Sequence, residues 1–80
     1  MKQAEIELFI KDIGTRIQEL RRAQGITQLD LASKADIDVR QVQRLENGQT
    51  SATLKTLLKI INGLGVNFLY FFEFTNKKEK

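Results

Sequence analysis

Cysteine, histidine and proline are all absent from these 80 residues. Without cysteine there is no disulfide, no thiol nucleophile and no thiolate ligand. Without histidine the usual zinc sites go as well, and with them the commonest general base. The missing proline removes the commonest cause of a broken helix. No apolar run approaches the ~20 residues that cross a bilayer, and Met1-Lys2-Gln3-Ala4-Glu5 opens no signal-peptide core, so a cytoplasmic protein is expected. Charge is nearly balanced: 13 Lys and Arg against 10 Asp and Glu leave a net +3, which permits a polyanionic partner without requiring one. A chain of 80 residues buries one modest core and leaves no second domain for catalysis. Such a core, with neither disulfide nor metal, depends on well-packed helices or on dimerisation. Asp30, Asp36, Asp38 and Glu46 form no acid–base or metal-binding constellation, so the chain does not read as an enzyme and implies no metal and no cofactor.

What is present is periodic. Ile6, Phe9, Ile10, Ile13, Ile17 and Leu20 recur every three or four residues, which predicts one amphipathic helix from about Glu5 to Gln24, closed by Gly25. Gly14 is a weakness within it, costing ~1 kcal/mol relative to alanine. The part before Ile13 either extends the helix or packs on a partner, extension being the simpler reading. Gln28 to Lys34 follows, with Thr27 as its N-cap and Leu29, Leu31 and Ala32 as packing positions. A second short helix spans about Val39 to Asn47, with Val39, Val42 and Leu45 along one face. Asp36 tolerates left-handed backbone, Asp38 is a good N-cap, and Gly48 supplies the stop. Two short helices across a turn of three or four residues give the helix-turn-helix outline.

The outward face of that second helix carries Arg40, Gln41, Gln43, Arg44 and Asn47. Arginine and glutamine match the guanine and adenine edges of the major groove; the same residues also suit an ordinary solvated face. Leu54, Leu57, Leu58, Ile60, Ile61 and Leu64 then make a helix apolar on much of its circumference, with Ser51 or Thr53 as its cap. Finally, Asn67 to Phe74 holds five of the six aromatic residues. A monomer this small cannot cover them all, and an exposed cluster of that size marks an interface. Homodimerisation through Phe68, Tyr70, Phe71 and Phe74 is the reading, with a dimerising strand over Leu69 to Phe74 as the lesser form the segment could take. Thr75 to Lys80 is read as a disordered charged tail.

Three runs stand in order at fixed distances: Arg21-x3-Gly25-Ile26-Thr27-Gln28-x2-Leu31-Ala32, Val42-x2-Leu45-Glu46-Asn47-Gly48, and Leu57-x6-Leu64-Gly65-Val66. Together they resemble the lambda-repressor-like (Cro/cI, or XRE) helix-turn-helix family over about Ile13 to Phe72. The resemblance implies an all-α, compact five-helix bundle, a single DNA-binding domain over residues 1–74, with helices two and three as the helix-turn-helix. It implies an ion pair between Arg21 and Glu46; the neighbouring Arg16, Arg22 and Lys11 are read as solvated, with Arg22 also able to approach a phosphate. It places base contacts on Val39, Arg40, Gln43 and Arg44, and phosphate contacts on Thr27, Gln28, Gln41, Asn47 and Lys55. It makes the aromatic segment a short fifth helix capped by Asn67, from which Phe68 or Leu69, with Phe72, would enter the core. Asp36 departs from the family, which most often has glycine there. The implied function is sequence-specific binding of double-stranded DNA as a transcriptional regulator, a repressor acting as a homodimer on a two-fold symmetric operator. Two alternatives stand beside it: an antitoxin-type autoregulator with a toxin partner, and a protein-interaction module that keeps the fold without reading DNA.

Overall fold

Four of the helices in this chain begin where a side chain accepts from the first unpaired N–H groups. Thr27, Asp38, Thr53 and Asn67 each stand in extended backbone and accept from the N–H of Asp30, Arg40, Thr56 and Tyr70, satisfying donors that a helix start leaves without partners. The computed structural model describes residues 1–49 and 52–77, with side chains to Thr75. Its elements are α1 (Gln3–Ala23), α2 (Gln28–Ala35), α3 (Val39–Glu46), α4 (Leu54–Leu64), α5 (Phe68–Phe71) and α6 (Phe74–Lys77). The all-α expectation holds, with a sixth one-turn helix added to the five foreseen. Phe68–Phe71 is helical, so the strand alternative is overturned. Residues Phe74–Lys77 are helical too, with Thr75 Oγ1 donating to Phe72 O at 2.8 Å, so order continues past the expected start of the tail. Ser51 and residues 78–80 lie outside the described residues.

The core is a single cluster: Ile17 and Leu20 of α1, Leu31, Ala32 and Ala35 of α2, Val42 and Leu45 of α3, Ile60, Ile61 and Leu64 of α4, and Phe71 of α5. Two glycines set how closely its layers approach. At Gly63, on α4, an added Cβ would lie 3.1–3.3 Å from the backbone and Cβ of Ala35, which fixes the α2–α4 crossing. At Gly14, on α1, an added Cβ would penetrate the Leu45 carbonyl oxygen and lie 3.1 Å from Glu46 O. Both obstacles are main chain and cannot swing aside. Gly14→Ala is therefore expected to destabilise by about 1–3 kcal/mol through overpacking, the opposite sign to its helix propensity. Denaturant unfolding decides this, and a variant as stable as the wild type would contradict the close crossing of α1 and α3.

Several expected positions are corrected. Phe71, assigned to the dimer interface, is 0% exposed. The Asn67 cap sets the register of α5 so that Phe71, and not Phe68 or Leu69, turns inward, and Phe68 and Leu69 stay exposed. Phe74 is half-buried, its ring centroid 6.0 Å from those of Phe9 and Phe72. Phe9 sits on the extension of α1, so that extension covers the C-terminal rings of its own chain. Arg16, expected in solvent, instead donates from Nε to Phe71 O at 2.9 Å and from Nη2 to Tyr70 O at 2.7 Å. Its guanidinium also lies 5.0 Å from the Tyr70 ring centroid, and so tethers α5 to α1. Leu29 falls to the side of the Leu31–Ala32–Ala35 stripe and is exposed.

Candidate nucleic-acid interface

Helix α3 has two unlike faces. Val42, Leu45 and Glu46 are buried, while Arg40, Gln41, Gln43 and Arg44 are exposed. The apolar side anchors the helix to α1 and α2, and the polar side is thereby held outward as a rigid row. Val39 is only half-exposed because it packs against the core, so of the four expected base readers it is the least available. Asn47 is the exposed C-cap.

The turn before α3 fixes the angle at which that row is presented. Asp36 adopts φ 57°, ψ 50°, the left-handed geometry for which asparagine and aspartate are the best side-chain-bearing residues. Ile37 N–H then closes onto Ala32 O at 3.0 Å. The opposite end of the motif is tied by charge. Arg21 Nε donates to Glu46 Oε2 at 2.7 Å, and Arg21 Nη2 to Glu46 Oε1 at 3.0 Å. Arg21 Nη1 donates to Ile26 O at 2.9 Å. Both side chains are buried, and the hydrogen bond to Glu46 holds the Arg21 guanidinium above its ordinary pKa, against the burial that pulls it down.

Gln28 belongs to this network as well: its Nε2 donates to Glu46 Oε1 at 3.0 Å. One carboxylate therefore joins the end of α1, the start of α2 and the end of α3. Beside Gln28, Thr27 and Asp30 form a reciprocal cap, with Thr27 N–H donating to Asp30 Oδ2 at 2.9 Å and Asp30 N–H to Thr27 Oγ1 at 3.0 Å. These bonds, that from the Thr27 backbone first, hold the Asp30 carboxyl below its ordinary pKa.

At the start of α3, Asp38 caps the helix and also pairs with the Arg40 side chain at 3.3 Å. Asp38, Arg40, Gln41 and Arg44 line one shallow polar hollow, so the structure brings these residues together. It does not bring Lys55 to them: Lys55 lines a separate, largely apolar hollow on α4 with Leu54, Leu58, Lys59 and Asn62. The grip of Asp38 on Arg40 and that of Glu46 on Gln28 are absent from the sequence reading. An acidic cap two residues before an arginine is the only signal for the first. Among the described residues no group of acidic side chains is arranged to hold a metal ion.

A family model described as helix-turn-helix matches residues 17–71, which takes in α2, the turn, α3 and the core around them. The chain belongs to the helix-turn-helix family. Among relatives of this helix-turn-helix chain, HigA2 of Mycobacterium tuberculosis, an antitoxin by name, is 43% identical over 51 residues, which is 62% of this chain and 50% of its own. The HTH-type transcriptional regulator PrpR of the same organism is 34% identical over 58 residues, 72% of this chain and 12% of its own. The chain thus spans half or less of the length of these curated relatives. Among solved structures, the wild-type restriction-modification controller protein C.Esp1396I superposes with a TM-score of 0.81 at 31% identity, covering 88% of this chain and 90% of that one. The C.Esp1396I tetramer in complex with its natural 35 base-pair operator gives 0.81 at 32%, covering 86% and 91%.

Proposed function

We propose that this chain is a sequence-specific, double-stranded-DNA-binding transcriptional regulator that represses by occupying a promoter as a homodimer in the cytoplasm. The observation that carries the reading is α3 itself: an arginine- and glutamine-rich face held outward by the burial of Val42, Leu45 and Glu46 on the opposite side. A similar protein crystallised with its operator supports it. Arg40, Gln43 and Arg44 read base edges in the major groove, and Val39 adds a limited apolar contact. Gln28 and Thr27 meet the phosphate backbone at the start of α2. There Gln28 has a second amide hydrogen beside the one given to Glu46, and a helix N-terminus favours a phosphate oxygen. Gln41, Asn47 and Lys55 add exposed polar contacts to the backbone. Exposed Phe68, Leu69 and Tyr70 form the surface through which two copies associate, and the two α3 helices then enter grooves about 34 Å apart or a multiple of it.

Arg44→Ala tests the base-reading assignment. It is expected to weaken binding by about 1–3 kcal/mol and to relax preference at one base position per half-site. Titrations against single-base variants of a bound duplex read this directly. Equal weakening on every duplex would show that Arg44 contacts phosphate only.

A second reading, an antitoxin that represses its own operon while holding a toxin, is favoured by the likeness to HigA2. It also draws on the outward face of α4, where Leu54 and Leu58 are 67% and 43% exposed beside Lys55 and Lys59.

A further inference from the structure

Asp38 holds Arg40 in two ways. Its Oδ1 accepts the Arg40 backbone N–H at 2.8 Å, which is the α3 cap. The same carboxylate also grips the side chain, with Arg40 Nε 3.4 Å from Oδ1 and Nη2 3.3 Å from Oδ2. The two side chains are 50% and 76% exposed, and exposed ion pairs contribute little to stability. Capping does not call for a charge either, since asparagine caps as well as aspartate. What the pairing does favour is one plane of the guanidinium. An arginine held by its Nε and Nη2 edge keeps both hydrogens of Nη1 and the outer one of Nη2 for another acceptor. That remaining edge is the fork that guanine O6 and N7 accept bidentately.

Two physical consequences follow. A long exposed arginine orders its rotamers when it binds, and one already gripped by a capped carboxylate loses less freedom at that moment. A paired arginine also gives less to phosphates, whose attraction is blind to sequence, because the Asp38 charge lies beside it. The bond from the Arg40 side chain, more than that from its backbone, draws the Asp38 carboxyl below its ordinary pKa, and the Arg40 guanidinium is raised in turn. The pair thus stays charged on both sides at neutral pH.

We propose that Asp38 is a positioning residue for base recognition, presenting Arg40 as a pre-oriented fork for guanine and trading general affinity for discrimination. The proposal rests on Arg40 reading bases, as put forward above.

The test compares the full chain with Asp38→Asn, Arg40→Ala and the double variant. The probes are a randomised duplex pool, the consensus duplex that the wild type selects from it, and single-base variants of that consensus, all at one salt concentration. Asparagine keeps the cap, so α3 still starts at Val39. Asp38→Asn is expected to bind the consensus about tenfold more weakly and the random pool no more weakly than the wild type, with guanine preference at one half-site position reduced about tenfold. Arg40→Ala is expected to erase the same preference, and the double variant to lose nothing further at that position. Retention of the full guanine preference by Asp38→Asn would overturn the proposal, leaving Asp38 a cap. Additive losses, or a preference lost at a cytosine instead, would overturn it in favour of direct reading by Asp38. Equal tightening on every duplex would reduce Asp38 to a repelling charge. If Arg40→Ala alone leaves every base preference intact, the base-reading role of Arg40 fails first and the positioning role with it.

Discussion

Phe71→Ala is expected to cost about 3–5 kcal/mol of folding stability, the range for truncating a fully buried aromatic. The ring is 0% exposed, packs edge-on against Phe72 with centroids 5.0 Å apart, and lies in the same cluster as Ile17, Leu31, Val42 and Ile60. The residue's own carbonyl is held by Arg16, so the backbone cannot easily collapse into the void. Domains of this size have only about 5–15 kcal/mol in total, and each kcal/mol moves Tm by roughly 4–8 °C. The melting temperature should therefore fall by upwards of about 12 °C. Leu29→Ala, at a position 67% exposed and outside the surface proposed for association, should stay within about 0.5 kcal/mol of the wild type. Thermal melts of the two variants side by side decide the matter, and a Phe71→Ala protein that melts with the wild type would mean that α5 does not pack as described.

Glu46→Ala is the second large effect. The Glu46 side chain is 0% exposed and that of Arg21 10%. Removing the carboxylate strands a buried guanidinium and deprives Gln28 of its acceptor. Breaking a buried pair in this way costs about 3–5 kcal/mol, whereas replacing both partners by apolar residues of similar volume is often near neutral. Arg21→Met combined with Glu46→Leu is therefore expected to be more stable than either single apolar replacement. A denaturant-unfolding cycle over Arg21→Met, Glu46→Leu and the double variant measures the coupling. Additive losses would show that the two charges do not depend on each other.

The elements whose signals are local were legible in the sequence. The α1 stripe, the caps at Thr27 and Asp38, and the left-handed position at Asp36 all follow from residue type and spacing, while the Asn67 cap comes with the family resemblance. The pairing of Arg21 with Glu46 is implied by family resemblance and by no spacing rule, since the two lie 25 residues apart in sequence. What was illegible is tertiary. Gly14 has the same letter whether it is a weak helix residue or the point where α1 meets the Leu45 carbonyl. Nothing near Arg16 in sequence announces the Tyr70 and Phe71 carbonyls that it holds. In a four-residue helix flanked by further aromatics, periodicity cannot choose which ring turns inward. Within the candidate site, the outward face of α3 was legible, but the grips on Arg40 and Gln28 were not, because both are side-chain geometries that spacing alone leaves open.

The central claim is that α3 reads DNA, and that two copies do so together. Selection of bound sequences from a randomised duplex pool at about 0.15 M salt, with an Arg40→Ala/Arg44→Ala double variant alongside, tests it most directly. The account predicts a two-fold symmetric motif whose half-site centres lie about 10 base pairs apart or a multiple of that, with the motif lost in the double variant. Recovery of no motif by the wild type, or of the same motif by the double variant, would contradict it.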